Sequence, residues 1–231
     1  MNQCNAVIES LENNDIPGLD EDLKTRFLAE SLFIRAHYFY HLVQQFGDIP
    51  MPLKPTNSVE TTAHKTKVDE VWNQIVTDLE FAVENLPETY QASEFGHITK
   101  YAAMHHLSRV YLTLKRSDDD LKKALNYAEQ VINSGKYSLV KSHAELWDIN
   151  NKNNSEVLFS VLYTQNAELN GDGNTAHMYF CSAYSEEHPA VKRVIEYGRP
   201  WSRERSSDFA ISLFDKTKDQ RWDDCLFLGG M

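Results

Sequence analysis

Tyr179, Tyr184, Tyr197 and Trp201 lie close together in the chain, interleaved with Arg199, Arg203 and Glu204. That mixture suits a sugar. A pyranose ring presents C–H faces that stack on Tyr and Trp, and hydroxyls that bond to Arg, Asn and Asp. Tyr and Trp combine an apolar ring with a polar tip, and binding residues concentrate on loops carried by a rigid scaffold. Tyr179, Tyr184, Tyr197, Arg199 and Trp201 are therefore the candidate ligand contacts. The competing role for Tyr197 and Trp201 is to pack this region onto the rest of the fold.

Other constellations point to less. His37 and His41 are four apart and share a helix face, as metal-chelating pairs do, but no HExxH pattern and no third ligand accompany them. His105 and His106 are adjacent and project about 100° apart, so they cannot chelate together. Asp148-Ile149-Asn150-Asn151-Lys152 opens like a calcium loop, yet Lys152 stands where an oxygen ligand is required and the needed glycine is missing. Asp172 in its Gly/Asn loop has too few ligands nearby. Cys4, Cys181 and Cys225 are too widely spaced for a zinc motif or a disulfide framework. No nucleophile-elbow, phosphate-loop or dinucleotide fingerprint occurs. Neither a metal nor a cofactor is expected.

These residues sit in a chain of 231 with a formal net charge of −11. Nucleic acid is bound by clustered Lys and Arg, so the acidic balance argues against it as a partner. No apolar run approaches the roughly 20 residues that span a bilayer. Met1-Asn2-Gln3-Cys4 leads directly into an amphipathic segment, so no signal peptide is expected in this stretch.

The elements that must position any site are mostly helical. A short amphipathic segment, 1–13, ends before Pro17-Gly18. Asp20 or Asp22 caps the next helix, which runs to Phe46. Its residues Leu28, Leu32, Phe33, Ile34, Ala36, Tyr38, Phe39, Tyr40, Leu42 and Val43 are too many for one stripe, so helices are expected on nearly every side of it. Pro50, Pro52 and Pro55 hold 47–64 as a loop. A third helix starts at Thr66 or Lys67, with apolar residues at i, i+3 and i+4 up to Leu86. Thr99 caps a fourth, 100–115. Asp118 to Asp120 favour the start of a fifth, which Gly135 ends. The run EVLFSVLYT, 156–164, reads as a strand, and a short helix is expected over 207–215.

Two of these stretches superpose. Leu32, Arg35, Ala36 and Phe39 have the spacing of Met104, Leu107, Ser108 and Tyr111. Each is followed by a helix with spaced small residues, Asp78-x-x-x-Ala82 and Ala124-x-x-x-Ala128. This resembles a degenerate tetratricopeptide helix pair. The fold class is mainly α: tetratricopeptide-like hairpins over 1–140, then an irregular, aromatic-rich part over 141–231 carrying a short strand.

At the next level of detail RAHYFYHLVQQFGDIPMP, 35–52, resembles the signature of the SusD/RagB family. VWNQIVTDLEFAVENLPE, GHITKYAAMHHLSRVYLTLK, ALNYAEQVINSGKYSLV with SEVLFSVLY, and GRPWSRERSSDFAISLFDKTKDQRW are similar to later blocks of that family, in the family's order. Ser206-Ser207 departs from its usual Pro-Thr. The chain reads as the central part of such a protein, without the lipoprotein signal and the large C-terminal portion.

The resemblance implies a non-catalytic lipoprotein on the outer face of the outer membrane in Bacteroidetes. It implies glycan binding, or in some members peptide binding, and delivery to a SusC-like TonB-dependent transporter. The membrane would be met only through a lipid anchor outside this stretch. A tetratricopeptide-like protein–protein adaptor is the alternative from another class.

Overall fold

A computed structural model of the chain describes residues 1–13, 16–59, 61–148, 150–163, 166, 179, 206–215, 217–219 and 221–222. Two compact units are distinguished. The first comprises 1–139 with 155–160, the second 140–154 with 161–231.

The first unit is a helical stack of α1 (Asn2–Glu12), α2 (Glu21–Phe46), α3 (Val68–Asn85), α4 (Lys100–Leu114) and α5 (Asp118–Asn133). Each helix packs on the next in chain order, the nearest-neighbour pattern of stacked helical repeats. The helix starts follow from side-chain chemistry. Asp20 Oδ1 accepts from the amides of Asp22 and Leu23. Thr99 Oγ1 accepts from Ala102 N, and Ser117 Oγ from Asp120 N. Each satisfies an amide that the first helical turn leaves without a partner.

The stop after α2 is chemical as well. Gly47 takes φ 66°, which a side chain would disfavour. Asp48 then reaches across the loop: its Oδ1 accepts from Val68 N at 2.9 Å and its Oδ2 pairs with Lys67 Nζ at 2.9 Å. Lys67 itself supplies no side-chain cap to α3, so Asp48 does that work from a distance. The hydrogen bond from Lys67 holds the Asp48 carboxyl below its ordinary range. Ile49 drops into the core and bridges Thr66.

The core lies between successive helices and is built from Phe33, Phe39, Ile75, Leu79, Leu107, Val71 and Val110, all essentially inaccessible. Arg35 is buried among them. Its Nε and Nη2 donate to the two oxygens of Asp78, each at 2.8 Å, and Gln74 Nε2 donates to Asp78 Oδ1 at 2.7 Å. Asn5 Oδ1 accepts from Arg35 Nη1, while Asn5 Nδ2 donates to the carbonyls of Pro52 and Lys54. One guanidinium thus ties α1, α2, α3 and the proline loop together.

Two expectations are corrected. α2 is not enclosed on nearly every side: Ile34 and Tyr38 are exposed. The strand over 156–164 does not form among residues 156–163. This run instead lays Leu158 and Phe159 against the helical core, with Phe159 edge-on to Phe33 at 5.3 Å. A β-branched and aromatic run fits a half-buried surface; here the surface is helical, not a neighbouring strand.

Candidate functional site

Of the five aromatic and arginine candidates, Tyr179 is half-buried and helical. Tyr184, Tyr197, Arg199 and Trp201 lie outside the described residues. Ser207, further on, caps α7 (Asp208–Ser212) by accepting from Ala210 N. This shows why a hydroxyl residue stands there.

The histidines of α2 and α4 converge. The His37 ring lies 4.6 Å from that of His41 and 5.2 Å from that of His106. His106 is buried under Phe33 and Tyr40, and its Nε2 has no hydrogen-bond partner. Burial, then the neighbouring His37 and the Arg109 cation, holds the His106 imidazole neutral, lowering its pKa to about 3. Burial, with His41 and Arg109, lowers His37 also. His105 faces out on the same helix. Among the described residues no three His, Cys, Asp or Glu side chains are grouped to hold one metal ion. Asp148 Oδ1 accepts from the backbone and side-chain amides of Asn150, closing a turn.

A second polar group secures the loop after α3. Glu30 on α2 accepts from the Tyr90 hydroxyl at 2.9 Å and from His97 Nδ1 at 3.0 Å. Arg26 pairs with Glu94 at 3.0 Å and lies over the Tyr90 ring. Burial, with the Glu30 hydrogen bond, pushes the Tyr90 hydroxyl up. These contacts bind the loop to α2 and leave it a shaped surface of rings and charges.

In the second unit α6 (His143–Leu146) carries Trp147 at its end. The Trp147 indole N–H donates to His143 Nε2 at 2.9 Å, and the ring is 72% exposed. Trp147 is not among the candidate ligand contacts that the sequence offers. A Trp followed by Asp and Asn was the available signal.

Comparison with known proteins locates this arrangement. Residues 1–112 match a SusD-like family model described as starch-binding and associating with the outer membrane. SusD-like protein P2 of Formosa agariphila is 30% identical over 210 residues, covering 87% of this chain and 39% of that protein. The solved structure of a laminarin-binding SusD-like protein superposes with a TM-score of 0.66 at 27% identity, covering 77% of this chain and 40% of that one. A structure with a xylogluco-oligosaccharide superposes at 0.63, with 26% identity over 70% of this chain and 33% of that one. The chain spans 29 to 39% of the length of the curated relatives it matches. Over most of its length the chain is similar to SusD-like proteins, and the stacked helices are the fold it shares with them.

Proposed function

We propose that the protein binds oligosaccharide or polysaccharide at the cell surface, without cleaving it, and hands it to a SusC-like TonB-dependent transporter of the outer membrane. The observation that carries this reading is the family match together with a structural neighbour named for laminarin binding. A rigid helical stack supports the reading, because it holds loops without itself needing to move. Tyr179, Tyr184, Tyr197, Arg199 and Trp201 are the proposed contacts, stacking on sugar faces and bonding to hydroxyls. No helix among the described residues is long and apolar enough to cross a membrane; attachment through a lipid anchor is part of the same proposal.

Isothermal titration of the chain against laminarin, xyloglucan and starch oligosaccharides tests the binding step. Saturable binding of at least one, with the sugar recovered intact by mass spectrometry, is the expected result. Trp201→Ala should then weaken it about tenfold. Heat flat against all three, or release of shorter sugars, would overturn the reading. Co-purification of the transporter with the tagged protein from membranes tests delivery.

A further inference from the structure

We propose that Trp147 is a stacking platform for a neutral hexopyranose chain, with Asp148, Asn150 and Asn151 beside it as partners for the hydroxyls; this rests on the glycan-binding reading above. Trp147 is among the most exposed large side chains described, at 72%. A solvent-facing Trp is costly in apolar area, and indole usually hides its ring or uses it. Here the polar end of the ring is already committed. Its N–H is held by His143 Nε2 at 2.9 Å, with the two rings tilted at 54° and centred 6.1 Å apart. What remains open is apolar ring surface, fixed in direction, so little rotamer freedom is left to lose on binding.

The loop around the ring is held in the same way. Asn154 is buried, and its Nδ2 donates to the carbonyls of Leu146 and Asn151. This folds 150–154 back onto the end of α6. Asn150 closes its turn on Asp148, and Asn151 Nδ2 reaches Glu145 O. Carboxylate and amide groups are thereby held on the loop that directly follows the open indole, the pairing that sugar C–H faces and hydroxyls require. The carboxylate of Asp148, next to the ring in the chain, favours a neutral sugar over an acidic one.

The test uses the full 231-residue chain, titrated with laminarin, xyloglucan and starch oligosaccharides. Trp147→Ala is expected to raise Kd tenfold or more for the sugar that binds, with the thermal midpoint unchanged. Trp147→Phe, which keeps a ring, should stay within about threefold of the native chain. Independently of any variant, bound sugar should protect Trp147 from oxidation by N-bromosuccinimide, read by peptide mass spectrometry. Unchanged affinity in Trp147→Ala, or equal oxidation with and without sugar, overturns the platform and leaves the glycan-binding reading standing. A lowered midpoint with unchanged affinity also overturns it, assigning Trp147 to packing. A native chain that binds none of the three removes reading and platform together.

Discussion

At the scale of single residues the most consequential group is His106. It is buried with a nitrogen that has no partner, and it stays neutral to about pH 3. Unfolded, a histidine takes up its proton near pH 6.5. Below that pH the unfolded state therefore holds the extra proton. Stability is full above about pH 7 and is lost as pH falls through 6.5 towards 3. Between pH 7 and 5 the contribution of His106 amounts to about 2 kcal/mol. His37 and His105 are lowered too and act in the same sense. Urea unfolding at the two pH values should show that loss in the native chain, and a loss smaller by roughly that amount in His106→Leu. Identical losses in both would show that His106 titrates freely.

At the scale of elements, the stack depends on two polar devices set in an apolar frame. The first is the Arg35–Asp78 pair, both partners buried. Removing one charge strands the other, so Asp78→Ala should cost about 3–5 kcal/mol in urea unfolding. The double change Arg35→Met with Asp78→Leu should cost clearly less than the sum of the two single changes, because it strands neither charge. Additive losses would mean that the ion pair contributes nothing as a pair. The second device is Asp48, which caps α3 from the far side of the proline loop. Asp48→Ala should lower the thermal midpoint by a few degrees, and Asp48→Asn, which keeps an acceptor for Val68 N, by less. Equal midpoints for the two variants would remove the capping role.

At the scale of the molecule, the first unit contains the five long helices found among the described residues and the returning segment 155–160. The Ser138 amide donates to Ser155 O at 2.9 Å, and Ser155 Oγ donates back to Ser138 O at 2.9 Å, closing the neck from which the chain leaves and returns. A polypeptide of residues 1–163 should therefore unfold in one cooperative step, with strong helical circular dichroism. A broad, non-cooperative melt would show that the helical unit needs the remainder. If it folds but binds no sugar while the full chain does, the binding residues are assigned to 164–231, the region of Tyr197 and Trp201, and Trp147 is not sufficient for binding.

Much of the frame was legible in the residues alone. The helices, the caps at Asp20 and Thr99, the Gly47 stop and the repeated Ala36 and Ser108 packing positions all follow from local periodicity and side-chain reach. These effects operate within a turn or two of backbone. Contacts that cross the fold were not legible. Nothing in the spacing of Arg35 and Asp78 announces a bidentate pair, because its partners are brought together by helix packing 43 residues apart. The run at 156–163 has strand composition, yet packs on helices, since composition specifies an apolar surface and not its partner. Ile34 and Tyr38 look like core residues in a list and lie outside, because helix rotation is set by neighbours. Likewise the sequence by itself determined that Trp147 stands beside Asp and Asn. Only the tertiary structure decided that its N–H is tied to His143 and its ring left open, because burial depends on what the rest of the chain covers.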